Sequence, residues 1–582
     1  MSDATLKIVL VVDSEYLAAW QHLMLQRLLA MPRLELVAVV FHPLEQGGWQ
    51  RRFNRWVLRG SRLLDSSLFR CPNNARKPTP FLPLLGDTPR FTQGNASLQH
   101  FISQHRVDIV LDMTGEAALP LYVAWARYGV WRHVFGYPFR LHDHYVAVLE
   151  YLTNQTEIMT GLEGILATDA EPVGLFYATT STDPMSIGRG VEHTLWKMAE
   201  FIPQRIEELQ SVGVLHFMQG AKQRAAEWVK TPQYMLHDPS LTLMLCVFWQ
   251  YWLNLNRKLY RLISYHEQWM LLIGKARLVS KPMGLDLDGL IHCQQLIPPA
   301  DRFWADPFLV EYNHTPFIFF EELIYAEAKG VIACIWQLTD GTYSQPIKVL
   351  DRDYHLSYPF VFQYAGQYYM IPETAGNRTI ELYRCAEFPH RWVFEKYLMQ
   401  DVEAYDTTVV EYQQRWWMFV CLRQHDSCSP NETLYLFHAD SPLSQSWQAH
   451  PQNPIVAQAS RARPAGRIFE LDGQLFRPSQ DCAGTYGRGL NINLIQQLTT
   501  QVYQEVVQTH YLPDGQLNIS GIHTLNIGTQ LVVSDAMCVH RHWKTVRRYG
   551  MRIRHWLSRG LRVSGKHLHK VSTRFGLAKK EF

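Results

Sequence analysis

The second half of the chain alternates between apolar and polar positions in short segments that recur about every fifty residues. Five copies of one pattern begin at Asp306, Tyr358, Asp406, Ala465 and Gly521, and each is followed, after a short turn, by a second apolar run. Period-two alternation of aromatic and β-branched residues, interrupted by a turn, is typical of antiparallel strand pairs. Because one blade cannot bury both of its faces alone, five such units predict a five-bladed β-propeller over residues 291–537.

The N-terminal part of the chain has a different pattern, in which apolar strands alternate with segments of helical periodicity. The strands are predicted at LKIVLVV (6–12), LELVAVVF (34–41) and VDIVLDM (107–113). This alternation indicates parallel strands joined by crossover helices. We therefore assign residues 1–215 to an open α/β domain.

A helical linker is predicted for residues 216–290, between the two domains. Its apolar run at 241–255 is shorter than the roughly twenty residues that span a bilayer, so we expect a buried or interfacial helix there. The continuation at 257–274 mixes basic and aromatic residues, as expected for a helix packed on the propeller or lying at a lipid surface.

The last segment, residues 538–582, is predicted to be a basic amphipathic tail. From Arg541 onward it holds 13 Lys or Arg and one acidic residue, a charge of +12, whereas the rest of the chain has 43 basic and 52 acidic residues, a charge of −9. Apolar residues recur in the tail at helical spacing. An anionic membrane surface is the partner that such a segment favours. The alternatives are a solvated tail and nucleic acid, and no known reader module accompanies the charge to support the latter.

Composition predicts the compartment. The nine cysteines contain no CxxC pair, which favours a reducing compartment and argues against structural zinc. The apolar run at 8–12 is too short for a signal peptide and is followed at once by Asp13 and Glu15. We expect a cytoplasmic protein, peripheral on the inner face of the plasma membrane, with neither a metal nor a cofactor.

Candidate chemistry follows from the repeat, because the innermost strand of each blade lines the central cavity. Asp306 and Asp406 occupy one equivalent position, and Glu373 ends a second strand. Three such carboxylates can serve as base or nucleophile, acid and pKa-setting neighbour in glycosyl chemistry, so we predict them to be catalytic. The alternative is that they tie down loops between blades or bind sugar hydroxyls without chemistry.

Other polar residues of the same strand ends and turns are predicted to bind substrate. The arginines among them would hold an anionic group such as phosphate or uronate. The predicted substrate-binding set is Glu321, Tyr358, Arg463, Arg467, Arg477, Asp481, Tyr486, Arg488 and His523.

About 240 residues of this segment resemble a known family. The runs WADPF (304–308), HLSYPFVF (355–362), DTTVVEY (406–412), ARPAGRIF (462–469) and FRPSQDC (476–482) are similar to the N-terminal domain family of plant glucosamine inositolphosphorylceramide transferases, which is also found in bacteria. The resemblance implies a five-bladed propeller like those of furanosidases and fructosidases. In the plant proteins glycosyl transfer is assigned to a separate C-terminal domain without a counterpart in this sequence, so the resemblance does not imply the activity.

A second resemblance concerns the first domain. The strand KIVLVV, the run VDIVLDMTG and the block ARYGVWRHVFGYP (126–138) look like a formyltransferase N-terminal domain. That family places an Asn and a His two residues apart after the GV turn, and an Asp about 35 residues later. The matching positions here are Arg132 and Val134, with His133 one residue out of register and Asp169 as the aspartate. Without the orienting carbonyl and the base, this implies a degenerate formyltransferase site on a retained scaffold.

Two functions of different classes remain open. One is an enzyme that acts on a glycan, nucleotide-sugar or lipid-linked sugar in cell-envelope polysaccharide or glycolipid biosynthesis, through a central propeller pocket. The other is a non-catalytic glycan-binding scaffold, with amino-sugar N-formyl transfer as a further alternative. The spacing of the carboxylates in a shared pocket would discriminate the first two.

Overall fold

The structure is a computed structural model. It describes residues 5–42, 74–94, 96–114, 122–136, 146–166, 172–228, 265–275, 293–513 and 518–541, with isolated positions between 53 and 65 and between 245 and 256. The predicted tail, Asp169 and most of the predicted linker lie outside the described residues.

The first domain is built on a seven-stranded sheet of order β5-β3-β1-β6-β7-β8-β9. Its pairs are parallel from β5 to β7, and β8 and β9 add antiparallel strands at one edge. A separate short pair joins β2 to β4. The strands are β1 (Leu6–Val12), β2 (Tyr16–Ala18), β3 (Leu34–Phe41), β4 (Pro78–Pro80), β5 (Arg90–Thr92), β6 (Ile109–Asp112), β7 (Val130–Phe135), β8 (Glu157–Ile165) and β9 (Val173–Ser181).

Helices cover both faces of this sheet, as the continuous apolar run of β1 requires. Ile8 and Leu10 face a core shared with helices on one side, whereas Val9 and Val11 face a second core on the other. The helices are α1 (Ala19–Leu29), α2 (Ala96–Gln104), α3 (Val148–Leu152), α4 (Ile187–Met198) and α5 (Phe201–Trp228), with a 3₁₀ turn at Leu82–Leu84 and a kink in α5 at Gly213. The predicted α/β organisation is therefore present, and its formyltransferase character stays a prediction.

Four blades of the predicted propeller are four-stranded antiparallel sheets in sequence order. Blade 1 comprises β12 (Arg302–Tyr312), β13 (Thr315–Ile324), β14 (Lys329–Trp336) and β15 (Ile347–Leu350). Blade 2 comprises β16 (Ser357–Tyr364), β17 (Gln367–Glu373), β18 (Thr379–Glu387) and β19 (Arg391–Gln400), with a 3₁₀ turn at Ala375–Asn377. Blade 3 comprises β20 (Ala404–Tyr412), β21 (Arg415–Leu422), β22 (Leu434–Ala439) and β23 (Gln448–Ala449). Blade 4 comprises β24 (Phe469–Leu471), β25 (Gln474–Asp481), β26 (Gly489–Leu498) and β27 (Tyr503–Tyr511).

The same two-residue turn joins the first and second strands in all four of these blades. Both turn residues have positive φ in each case, which is the type I′ geometry whose twist matches that of the flanking strands. The turns are Asn313-His314, Ala365-Gly366, Gln413-Gln414 and Asp472-Gly473. The repeat seen in the sequence is thus a repeat of hairpins with one geometry.

The fifth blade joins the end of the propeller to a strand that precedes blade 1. Its strands are β10 (Tyr265–Lys275), β11 (Gln294–Leu296), β28 (Ile519–Gly521), β29 (Leu525–Ile527) and β30 (Leu531–Arg541). β10 pairs with β30 along eleven residues, from Tyr265 opposite Arg541 to Lys275 opposite Leu531.

The interpretation of 265–274 as helix is therefore wrong. A nearly continuous apolar run has no periodicity that separates a buried strand from a buried helix. The propeller accordingly begins before residue 291 and extends beyond 537. Among the described residues, no helix has the length and apolar character needed to cross a membrane.

Candidate functional site

The first strands of blades 1 to 3 share an irregular start that points one side chain toward the axis. Asp306, Tyr358 and Asp406 have φ values of 53°, 44° and 53°, and a β-bulge lies at each of the three positions. Left-handed backbone is uncommon for residues other than glycine and persists where surrounding contacts enforce it. The positions that the repeat made equivalent in sequence are thus equivalent in geometry.

A buried arginine holds two of the predicted catalytic carboxylates. Arg463 donates to both oxygens of Asp406, with Nε 2.5 Å from Oδ2 and Nη2 3.1 Å from Oδ1. The same Nη2 lies 3.1 Å from Glu373 Oε2, and Nη1 lies 2.5 Å from Asn431 Oδ1. Gln480 Nε2 donates to Asp406 Oδ2 at 2.9 Å. Arg463, which was predicted to bind substrate, therefore lies in the site, but its guanidinium pairs with carboxyl groups of the protein.

Glu373 differs from an ordinary carboxyl group in its protonation. Burial raises its pKa well above the usual value, and the attraction of Arg463 is outweighed by burial together with the repulsion of Asp406 and Asp306. A carboxyl group with such a pKa keeps its proton near neutral pH and can donate it.

The third predicted catalytic residue belongs to an aspartate–histidine–aspartate chain. His523 Nε2 lies 3.4 Å from Asp306 Oδ1, and its Nδ1 lies 2.7 Å from Asp535 Oδ2. Thr524 Oγ1 and the Tyr358 amide also donate to Asp306, at 2.8 and 3.2 Å. The side chains of Asp306, His523 and Asp535 are all buried.

Asp306 and His523 shift their pKa values for different reasons. Burial raises the pKa of Asp306 to about 6, against the lowering effect of His523. Burial lowers the pKa of His523, but the carboxylates of Asp535 and Asp306 outweigh it and raise that pKa above its usual value. The imidazolium therefore neutralises the aspartates between which it lies.

These three residues also bring donor atoms within 4.8 Å of one another, as a metal site would. Asp535, however, already accepts three backbone N–H groups, those of His523 and Thr524 on Oδ1 and that of Asp306 on Oδ2. A proton on His523 completes this set of hydrogen bonds without a metal ion. Among the described residues, these ligand atoms are of the types that bind a metal ion, but their hydrogen bonds are consistent with an imidazolium at His523.

A further acid lies beside the same cluster. Burial, followed by repulsion from the neighbouring carboxylates, raises the pKa of Glu321 well above its usual value. Its Oε1 lies 3.2 Å from Nε2 of His355, whose Nδ1 accepts the Gly330 amide at 2.9 Å. Because Nδ1 is an acceptor, the proton of the neutral ring is assigned to Nε2, facing Glu321. His355 was not among the predicted residues, although it lies two residues before the inner strand of blade 2.

Replacing Glu321 by glutamine should stabilise the protein at pH 8 by about 0.5–2 kcal/mol, the usual range for a stabilising substitution. Folded Glu321 keeps a proton that the unfolded residue releases above pH 4.5, so the free energy of unfolding falls as pH rises beyond that value. Glutamine removes this loss, which calorimetry between pH 5 and 8.5 would detect.

Glu505→Gln is the matched control for this substitution. Glu505 is also buried, but its pairing with Arg477 lowers its pKa, so its glutamine variant should be less stable. Equal destabilisation by both substitutions would show that Glu321 has a favourable partner of its own.

Aromatic side chains surround the charged groups. Tyr486, 39% exposed, lies with its ring 5.2 Å from the Arg463 guanidinium and edge-on to His523 at 5.2 Å. Tyr405 contacts the same guanidinium at 5.5 Å, and Trp269 packs on His523 with ring centroids 4.1 Å apart. Trp269 was missed because it lies on β10, the strand interpreted as helix. Exposed Tyr486 and half-buried Trp269 provide aromatic surface of the type that binds sugar rings.

Tyr358 is at the axis, but its burial does not support a direct contact with substrate. Its hydroxyl group lies 2.8 Å from Thr408 Oγ1 and accepts the Gly466 amide at 2.8 Å. Gly466 has a φ of 128°, and a Cβ there would lie 2.1 Å from the Leu525 carbonyl oxygen. Tyr358 therefore joins blades 2, 3 and 4 below the carboxylates.

Two of the predicted arginines have partners away from the carboxylate cluster. Arg467 donates to the Val361 carbonyl at 2.5 Å and packs on the Phe360 ring. Arg477 is fully buried and forms a bidentate pair with Glu505, at 2.8 and 2.7 Å. Arg477 thus stabilises the interior of blade 4, which contradicts its predicted contact with substrate.

Asp481 and Arg488 pair with each other outside the cluster. Asp481 Oδ2 lies 3.4 Å from Arg488 Nη1 and 3.0 Å from His510 Nε2. Neighbouring residues of a strand face opposite sides, so Gln480 reaches Asp406 while Asp481 faces away from it. The structure therefore does not bring Asp481 and Arg488 to the carboxylate cluster, and their contact with substrate stays a prediction.

The predicted formyltransferase residues do not form an open site among the described residues. Arg132 pairs with Glu163 at 3.4 Å. His133 is buried against Trp20 and lies 3.3 Å from the Met198 carbonyl, and burial lowers its pKa to about 4. His133 is therefore neutral and enclosed, and Asp169 lies outside the described residues.

The fold and site define a five-bladed propeller with a buried carboxylate cluster at its axis. Residues 290–526 match the family described as "Glucosamine inositolphosphorylceramide transferase 1, N-terminal", so the resemblance predicted for this segment is confirmed. Over 208 residues the chain is 39% identical to glucosamine inositolphosphorylceramide transferase 1 of Oryza sativa subsp. japonica and 34% identical to that of Arabidopsis thaliana. The match covers 35% of this chain and 28% and 27% of those proteins, so the chain spans about a quarter of the length of these curated relatives.

Two solved structures are similar to part of the chain. The family 117 glycoside hydrolase Zg3597 of Zobellia galactanivorans has a TM-score of 0.30 at 10% identity and covers 46% of this chain and 90% of its own. The α-L-arabinofuranosidase of Lactobacillus brevis has a TM-score of 0.30 at 12% identity, with 42% and 91% covered.

Proposed function

We propose that the protein acts on a glycan or a lipid-linked sugar in glycolipid or cell-envelope polysaccharide biosynthesis, through the axial site of its propeller. The observation that carries this proposal is the contrast between two neighbouring carboxyl groups. Glu373 has a pKa well above its usual value, whereas Asp306 has a pKa of about 6 beside an imidazolium. Two carboxyl groups with separated pKa values support one acid role and one base role. The name of the plant relatives, glucosamine inositolphosphorylceramide transferase 1, is consistent with this class of substrate.

In this mechanism Glu373 donates a proton to the oxygen atom that leaves the sugar. Asp306 accepts a proton from the attacking hydroxyl group or water. Before this transfer, His523 stabilises the negative charge of Asp306. Burial keeps the proton on Glu373, and repulsion from Asp406, which Arg463 holds beside it, adds to this effect. Asp406 thus acts as the pKa-setting neighbour.

One observation favours the non-catalytic alternative. Asp306 and Asp406 are 3% and 1% exposed, and their oxygen atoms already accept hydrogen bonds from protein donors. Carboxylates satisfied in this way can serve as a rigid base for a sugar-binding surface at Tyr486 and Trp269 without reacting.

A product assay distinguishes the two functions. The full-length protein is incubated with a panel of oligosaccharides and with nucleotide-sugars plus glycolipid acceptors, and products are measured by mass spectrometry while binding is measured by calorimetry. Turnover supports the enzyme, and saturable glycan binding without turnover supports the scaffold. The absence of both across neutral, amino and acidic sugars would contradict the proposal.

Formyl transfer by the first domain should be undetectable. His133 is neutral and enclosed, so it cannot serve as the base, and Arg132 is paired with Glu163. The measurement is formyl transfer from formyl-tetrahydrofolate to nucleotide-linked amino sugars. Turnover that disappears in His133→Ala would make N-formyl transfer the leading function.

We also propose that the basic tail brings the cytoplasmic protein to an anionic membrane surface, where lipid-linked sugars are built. A truncation after Arg541 retains all of β30 and should lose vesicle binding, and binding of the intact protein should weaken steeply with salt. Co-sedimentation with anionic liposomes measures both effects.

A second exposed apolar segment provides the control for the truncation of the tail. Trp249 and Trp252 are 62% and 56% exposed and stack on each other. If the truncated protein binds vesicles as well as the intact one, and Trp249→Ala with Trp252→Ala abolishes that binding, then the tail is not the membrane element.

A further inference from the structure

The first domain contacts the propeller next to two loops that supply side chains to the axial site. One loop precedes β22 and provides Asn431, whose Oδ1 accepts a hydrogen bond from Arg463. The other precedes β24 and provides Arg463 itself. Residues of β8, β9 and α4 hold both loops.

The first loop is held through the residue that follows Asn431. Glu432 is 1% exposed, and its Oε1 accepts the Ser181 amide at 2.9 Å. Its Oε2 lies 3.3 Å from Lys197 Nζ. Asn431 and Glu432 are adjacent in the chain, so a restraint on Glu432 also restricts the side chain that contacts Arg463.

The second loop is held at three successive points before Arg463. Lys197 Nζ donates to the Ala457 carbonyl at 3.0 Å, and the Ala459 amide donates to Thr179 Oγ1 at 3.0 Å. The Ser460 amide donates to Glu157 Oε1 at 3.0 Å. These bonds end three residues before Arg463.

Lys197 connects the two loops. Its ammonium group is buried and donates to the carbonyls of Thr179, Glu432 and Ala457 as well as to the Glu432 carboxylate. A buried ammonium group must keep its partners, because losing one leaves charge without compensation. Displacement of the first domain would therefore break bonds in both loops at once.

We propose that Lys197 and Glu157 are positioning residues of the axial site, and that the first domain fixes where the Arg463 guanidinium lies. The role of that domain is then to organise the propeller site rather than to carry chemistry of its own. Arg463 in turn holds Asp406 and Glu373, so a change at the domain interface reaches the carboxyl groups through one side chain. The inference rests on the proposed function only in treating this cluster as the functional site.

The test compares two buried cations of the same interface by hydrogen–deuterium exchange of the full-length protein. Lys197→Met removes the ammonium group that holds both loops. Arg205→Met is the matched control, because Arg205 is equally buried but donates to the start of the second loop, to the Asn453 carbonyl at 2.8 Å, ten residues before Arg463. Exchange in peptides covering 426–433 and 457–467 should be at least tenfold faster in Lys197→Met and unchanged in Arg205→Met.

A milder variant covers the case in which Lys197→Met does not fold. Glu432→Gln keeps an acceptor for the Ser181 amide and removes the ion pair, so it should accelerate exchange in the same two peptides. Acceleration spread evenly over the whole propeller, or equal effects of Lys197→Met and Arg205→Met, would overturn the proposal by showing a general stabilising role.

A second readout separates positioning from stability. If a glycan substrate or ligand is found, Lys197→Met should lower turnover or affinity at least tenfold, and this loss should disappear in an Arg463→Met background because both act through one guanidinium. Additive losses would overturn the proposal. The exchange experiment needs no ligand, so its outcome is independent of whether the proposed function is correct.

Discussion

Replacing Arg463 by methionine should lower the free energy of unfolding of the propeller by about 3–5 kcal/mol at neutral pH, the usual cost of removing one partner from a buried ion pair. The substitution leaves Asp406 and Glu373 buried with no guanidinium between them. Burial raises the pKa of Glu373 even with Arg463 present, and removal of the guanidinium, which lowers that pKa, should raise it further. In the variant the folded state binds more protons than the unfolded state, so stability falls as pH rises above 4.5. Denaturant unfolding followed by hydrogen exchange of the blade 2 and blade 3 strands measures this change.

Arg477→Met is the control for Arg463→Met. It also leaves a buried carboxylate unpaired, at Glu505, and should destabilise blade 4 by a similar amount. It should lower binding or turnover less than Arg463→Met does, because the carboxylate partner of Arg477 is Glu505, outside the axial site, although Arg477 also donates to the Arg461 carbonyl two residues before Arg463. A loss below about 1 kcal/mol for Arg463→Met would contradict the view that this guanidinium neutralises the cluster.

If the protein is an enzyme, Asp306→Asn should reduce turnover about 10²–10⁴-fold, the range expected when a general base is removed. Asparagine is close in size but can keep only one of two hydrogen bonds, because Thr524 and the Tyr358 amide donate to different oxygens of Asp306 and the amide nitrogen of asparagine does not accept. The pH profile of the wild-type protein should rise near pH 6, where Asp306 loses its proton. His523→Gln should move this rise to higher pH, because Asp306 loses the charge that lowers its pKa. The pH at which turnover rises is a property of the coupled Asp306–His523 pair rather than of one residue.

Asp481→Asn provides the matched control for Asp306→Asn. Asp481 is an equally buried carboxylate, but it pairs with Arg488 and His510 outside the cluster. Turnover should survive in Asp481→Asn. If Asp306→Asn retains turnover, Asp306 is not the base, and unchanged glycan binding in the same variant would favour the scaffold.

The sequence pattern predicted the parts of the fold in which the contacting residues are close together along the chain. The first two strands of each of blades 1 to 4 are neighbours in the chain and share one turn geometry, so their repeat is visible as alternation and turn residues. The fifth blade was incomplete in the prediction, because β10 finds its partner β30 more than 250 residues later. Residue types around Trp269 carry no signal of such a distant partner, and the apolar run there suits a helix as well as a strand.

The structure brings together the predicted residues whose side-chain direction repeats from blade to blade, and it separates those whose direction does not repeat. Asp306 and Asp406 follow from the alignment of the repeats, since each occupies the same bulge of an inner strand. Arg477 and Asp481 lie on a strand that also carries Gln480, and only the face of the strand decides which of them reaches the axis. Charge type alone could not distinguish an arginine that binds substrate from one that stabilises a blade.

The pairing of β10 with β30 also has a consequence for how the protein is made. β10 leaves the ribosome early and must wait for more than 250 further residues before its partner exists. At about 5–20 residues per second this is a delay of roughly 13–50 s, during which the hydrogen-bonding edge of β10 has no β30 to cover it. The ring of blades can therefore close only after residue 531 and the rest of β30 have been synthesised. A nascent chain stopped before residue 531 would present an unpaired strand edge, which is the kind of surface that chaperones bind and that aggregates recruit.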